Sequence, residues 1–199
     1  MQIYTVQENH NSSDINYHKV LIRIAIPGDE ETVADIGRRT FYETWKNVNT
    51  EEDLQMYMLK SFDAKEIREE IENSKVTTFF LAFVDDELAG YAKLRNDRSY
   101  DQIKGLRALE MERIYVLKKF QDQKIGKALM DESLTIAYQG KYEVMWLGVN
   151  QENHKAIDFY KKYGFEVFGT KQFTLGMAID EDFLMKKMLM SSLPGNIHS

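Results

Sequence analysis

Cysteine is absent from the 199 residues and proline occurs only twice. Without thiols the chain has no disulfide framework, no thiolate nucleophile, no zinc ribbon and no iron–sulfur cluster on cysteine ligands. Histidine is scarce as well. The four, at positions 10, 18, 154 and 198, never fall at the i, i+4 spacing that sets two imidazoles on one helix face around a metal, so no metal site is expected. Long apolar runs are missing too: the longest, 79–84 and 144–149, fall far short of the roughly 18 residues of a membrane span, and no membrane partner is expected. The first ten residues show neither a basic start nor an apolar stretch of secretory length, so the expected location is cytoplasmic. Positive charge is in deficit. Lys and Arg total 26 against 32 Asp and Glu, a formal charge of −6, which disfavours nucleic acid and favours a cationic partner.

What is present is an ordinary globular composition, 43% hydrophobic and 29% charged, enough for one core in one domain. Residues 1–19 are polar and aperiodic and read as an N-terminal extension, residues 20–190 as the domain, and 191–199 as a polar tail. Strands are expected at 20–26, 76–84, 88–94, 107–116, 144–149, 165–173 and 183–189. The first helix follows Asp29 as cap, with Val33, Ile36, Thr40, Phe41 and Thr44 on one stripe. Thr50 with Asp53, and Asp63 with Glu66, start two short helices; Gly126 to Tyr138 is a fourth, and Asn153 caps a fifth that Gly164 ends. Strands outnumber helices, and hairpins mix with helical crossovers, so the fold class is α+β around one mixed sheet.

The strand at 107–116 changes parity. Leu109 and Met111 put its apolar face on odd positions, Ile114 and Val116 on even ones, and an extra residue near Glu112 and Arg113 would account for the change. A β-bulge is therefore expected there, and bulges re-aim side chains. After it, Lys118, Lys119, Lys124 and Lys127 surround a polar loop that leads into a helix start, where unpaired N–H groups converge as they would on a phosphate. On spacing alone, a solvated Lys-rich turn explains this loop equally well.

The loop Gln121-Asp122-Gln123-Lys124-Ile125-Gly126 and the block Asn153…Ala156-Ile157-Asp158-Phe159-Tyr160…Gly164-Phe165 together resemble the GNAT superfamily of acetyl-CoA-dependent N-acetyltransferases. Finer features, Thr40-Phe41…Trp45, residues 49–53 and 182–185, look like its PaiA branch, which acetylates spermidine and spermine. The resemblance implies a GNAT fold, α+β, with a mixed, mostly antiparallel central sheet, flanking helices and splayed central strands. It implies acetyl-CoA as co-substrate without a metal, a small-molecule amine as acceptor, and leaves room for a homodimer. It implies cofactor contacts at Ile114, Tyr115, Val116, Gln121, Asp122, Gln123, Lys124, Ile125, Gly126, Lys127 and Asn153, with backbone N–H groups near 114–116 facing the developing oxyanion.

In the same terms Tyr160 protonates the leaving sulfur, and Glu112, with Glu110 as alternate, is the base that deprotonates the amine. Phe41, Trp45 and Glu51 line the acceptor side, although Glu51 also suits a helix N-terminus. The middle glycine of the loop signature is Lys124 here, expected in an ordinary backbone conformation, and Asp122 brings a negative charge that must turn to solvent. Modification of a protein amine or an aminoglycoside, and CoA binding without turnover, are the alternatives.

Overall fold

The computed structural model describes residues 19–175 and 178–189. The expected N-terminal extension, apart from its last residue, and the tail lie outside the described residues. Seven strands form a single sheet in the order β1-β2-β3-β4-β5-β7-β6: β1 (Val20–Ile24), β2 (Thr77–Val84), β3 (Glu87–Arg95), β4 (Ala108–Val116), β5 (Val144–Asn150), β6 (Glu166–Leu175) and β7 (Ala178–Met188). Among the described residues only β4 and β5 are parallel; every other pairing is antiparallel. The mixed sheet with flanking helices is the expected α+β arrangement.

Five helices pack on it: α1 (Glu30–Trp45), α2 (Glu51–Ser61), α3 (Ala64–Glu72), α4 (Ile125–Gln139) and α5 (His154–Lys162). β3 is buried along nearly its whole length, with both α1 and α4 against it, which explains a strand apolar on both faces. Leu81, Ala82, Ala92, Leu129, Met145 and Met185 are sealed in the main core.

The caps follow the sequence with one difference. The Thr50 hydroxyl accepts from Asp53 N–H, the Asp63 carboxylate from Lys65 and Glu66 N–H, and the Asn153 amide oxygen from Ala156 N–H. Asp29 holds the N-cap position of α1, but its carboxylate turns back to Arg23 at 2.6 and 2.8 Å and to Ile26 N–H at 2.8 Å. A bidentate, charge-assisted pair outcompetes an ordinary cap.

Two irregularities position the site. Lys93 pairs with Arg113 and Leu94 with Met111, so Glu112 is the extra residue and the bulge falls where the parity break puts it. The parallel pairing of β4 with β5 ends after Glu110 and Trp146. Beyond that point the facing edges of the two strands diverge, and a gap opens beside the bulge.

Candidate active site

A cleft of about 600 Å³ fills this gap and runs between α1, α2, the ends of β4 and β5, and α5. Its donor end is made of Ile114, Tyr115 and Val116 on β4, Lys118 and Gln121 in the following loop, and Asn153, Ala156 and Tyr160. The β5-facing edge of β4 past Glu110 has no strand partner among the described residues, so an extended arm with amide groups can pair there. The first backbone bond within α4 runs from Ala128 N–H to Lys124 O. The N–H groups of Ile125, Gly126 and Lys127 are thus the helix's unpaired donors, at the end that favours anions. An unpaired strand edge followed by a helix N-terminus fits a pantetheine arm and its diphosphate.

Lys124 is left-handed, with φ 62° and ψ 13°, and not in the ordinary conformation the sequence suggests. Asp122 is left-handed too, at φ 64°. The physical reason lies in the loop: alternating hand at successive residues swings consecutive N–H groups toward one point, a turn that glycine makes without strain. The Asp122 carboxylate does face solvent and pairs with Lys155 at 3.3 Å. Two of the four loop lysines are committed elsewhere, Lys119 to Glu87 and Lys127 to Asp131. Ile125 is buried in the core, so only its backbone is available to a ligand. The Lys118 N–H is held by Glu43 of α1 at 2.9 Å, which ties α1 to the loop.

The acceptor end is lined by Phe41, Trp45 and Tyr57 from α1 and α2, Phe173 from β6, and a group of charges. Phe41 stacks on Tyr57 with centroids 4.4 Å apart, and Phe173 closes against both Trp45 and Tyr57. Glu51 is not brought to this wall. It stands at the start of α2, where its carboxylate accepts from Gln55 at 2.8 Å.

The two glutamates of β4 differ sharply. Glu112, set out by the bulge, lies 3.1 Å from the Lys93 ammonium and 3.2 Å from the Arg95 guanidinium. Burial alone would raise its pKa, but Lys93, Arg113 and Arg98 outweigh burial and hold the carboxyl below the usual range. Glu110 is only 3% exposed, and its Oε2 is buried with no hydrogen bond among the described residues. The nearest cation, Arg98, is 3.7 Å away, too far for a hydrogen bond. Burial first, and then the Glu112 charge, push the Glu110 pKa up to about 7. A carboxylate without a hydrogen bond at Oε2 and with its pKa raised to about 7 is suited to taking a proton from an amine. Tyr160 is buried on α5, and its phenol is raised above the ordinary range by burial and by Tyr115. It therefore stays protonated and can donate.

Five charged residues of this cleft are not among the site residues the sequence suggests: Glu43 arrives from α1, Arg98 from a loop, Arg113 from beside the bulge, Lys171 from β6 and Asp182 from β7. Arg113 lies over the Phe62 ring and donates to Ser61 O at 3.2 Å. Asp182 pairs with Lys171 at 3.8 Å, and burial raises its carboxyl above the usual range. No local motif announces Glu43, Arg98 or Lys171, and although residues 182–185 carry a PaiA-like feature, only the sheet order places β6 and β7 beside β5.

No helix among the described residues is long and apolar enough to cross a membrane, and no cluster of His, Cys, Asp or Glu among them is fit to hold a metal. The family model for acetyltransferases of the GNAT family matches residues 38–165. The uncharacterized N-acetyltransferase in the pepI 3' region of Lactobacillus delbrueckii subsp. lactis is 35% identical over 155 residues, 78% of this chain and 89% of that protein. The spermidine N(1)-acetyltransferase of Thermoplasma acidophilum is 27% identical over 162 residues, 80% of this chain and 91% of that one. Among solved structures, the PaiA N-acetyltransferase of Thermoplasma acidophilum in complex with coenzyme A superposes with a TM-score of 0.70 at 25% identity, covering 85% of this chain and 99% of that one.

Proposed function

The chain belongs to the acetyltransferase (GNAT) family, uses acetyl-CoA as acyl donor, and, we propose, transfers the acetyl group by direct attack of a polyamine such as spermidine or spermine. The observation that carries the reading is Glu110: a buried carboxylate whose Oε2 accepts no hydrogen bond and has only a 3.7 Å ion pair to Arg98, at the point where β4 and β5 part and in one cleft with Tyr160.

Acetyl-CoA supplies an activated acyl group on a thiol leaving group. The loop from Gln121 to Lys127 and the start of α4 hold its diphosphate through backbone N–H groups, while Asn153 lines the same end of the cleft. Backbone N–H groups of residues 114–116 face the carbonyl oxygen as negative charge develops. Glu110, not Glu112, takes the proton of the incoming ammonium, because Lys93 and Arg95 both hold Glu112 Oε2 and the surrounding cations keep that carboxyl below the usual range, a weaker base. Tyr160 returns a proton to the departing sulfur. Phe41, Trp45, Tyr57 and Phe173 exclude water around the reacting amine and hold its methylene chain.

A polycationic acceptor is supported by Glu110 and Asp182 in one cleft, by the formal charge of −6, and by the names of the Thermoplasma relatives. A second reading, an amine carried on a protein, is favoured by Arg98, Arg113 and Lys171, which add cations to the same cleft. Thiol release from acetyl-CoA with a panel of amines separates the two. Turnover with spermidine and none with peptides is expected; the reverse order would remove the polyamine reading. Tight acetyl-CoA binding with no thiol release for any amine would leave a binding module without turnover.

A further inference from the structure

Among the described residues, Lys171 is the one amine lining the acceptor end of the cleft. It lies on β6 opposite Asp182, and Asp182 lies opposite Asn150 on β5, so the side chain reaches across β7 toward the gap. Its Cε and Nζ rest over Gly148, 2.7 and 2.8 Å from where any other residue there would carry a Cβ. Gly148 is two residues past the last β4–β5 pair, as Glu112 is on the other strand, so the ammonium sits at the mouth of the gap. Its ion pair with Asp182 is 3.8 Å, too long for a hydrogen bond, and the side chain is 31% exposed. Among the described residues nothing else holds it.

We propose that Lys171 is itself an acetyl acceptor: with the donor bound and no amine present, the enzyme acetylates its own Lys171. This rests on the acetyl-transfer reading. The Lys171 ammonium gives one proton to Glu110, and the freed nitrogen lone pair forms the bond to the acetyl carbonyl carbon. The carbon–sulfur bond breaks, the sulfur takes a proton from Tyr160, and the second nitrogen proton restores the phenol. The products are an amide, free CoA thiol and one proton passed from Glu110 to solvent. Acetylation removes the cation beside Asp182, so the cleft then presents a less positive wall to an incoming polyamine.

The test is peptide mapping after incubation with isotopically labelled acetyl-CoA and no added amine, with Lys141, exposed and outside the cleft, as the internal reference for uncatalysed acetylation. Lys171 should gain one acetyl group about a hundredfold faster than Lys141, the scale that proximity allows. Spermidine should suppress the reaction, and Glu110→Gln should slow it while CoA binding by calorimetry is retained. A second readout needs no turnover: reductive methylation of the CoA-free protein should label Lys171, and CoA should protect it about tenfold while leaving Lys141 unprotected. Equal rates at Lys171 and Lys141, or no protection by CoA, would overturn the proposal. If amines are acetylated and Lys171 is not, this inference alone fails; if neither is acetylated by protein that binds the donor, the transfer reading fails with it.

Discussion

Glu110 carries opposite consequences for activity and for stability. As the proposed base it must be ionised, so kcat/KM should fall as pH drops through about 7, and Glu110→Gln should lower it by about 10²-fold or more. For stability the sign reverses. The folded chain holds the Glu110 proton up to about 7 while the unfolded chain releases it near 4.5, so folding loses stability as pH rises across that window. At 1.36 kcal/mol per pKa unit the loss is about 3 kcal/mol by pH 8. Glu110→Gln should therefore melt several degrees above the parent at pH 8 and show no such gain at pH 4; equal melting at both would contradict the burial of an ionised carboxylate.

Glu112 acts on that balance from the side. Glu112→Gln removes the like charge that raises the Glu110 pKa, so the acid limb of the rate profile should shift to lower pH. An unshifted limb with a rate loss like that of Glu110→Gln would instead make Glu112 the base. Tyr160→Phe should cost about 10²-fold in kcat with donor affinity unchanged by calorimetry; full activity would remove the phenol from the mechanism. The sequence points to both glutamates with Glu112 first, since nothing local shows Lys93, whose contact with Glu112 exists only once β3 and β4 are paired.

At the scale of elements, the bulge and the loop after β4 were legible to different degrees. The bulge was legible because period-2 alternation is strict, so one extra residue leaves a visible parity break between Met111 and Ile114. The hand of the loop was not. Lys at position 124 argues locally for an ordinary conformation, yet the demand that neighbouring N–H groups converge puts it at φ 62°. A left-handed conformation costs an L-residue about 1–2 kcal/mol, part of which glycine recovers less its greater freedom when unfolded. Lys124→Gly should thus raise stability by about 0.5–1 kcal/mol in thermal melts, while Lys124→Val should lower it by more than 1 kcal/mol. A destabilised glycine variant would mean that the loop does not need the left-handed turn.

At the scale of the whole molecule, the order of β1 to β5 follows from hairpins and a helical crossover that the sequence shows. The reversal of β7 and β6 does not, and with it Lys171 and Phe173 enter the cleft unannounced. The sheet buries its own middle and leaves one seam unpaired, between β4 and β5. In the proposed reaction the acyl donor occupies this seam and Glu110, at its head, is the base. The most direct test is the pH dependence of acetyl transfer to spermidine in the parent and in Glu110→Gln, with acetyl-CoA affinity measured alongside. The parent profile should bend near pH 7, and the variant should lose both that bend and about 10²-fold in rate at unchanged donor affinity. A bend that persists in the variant at comparable rate would contradict the claim.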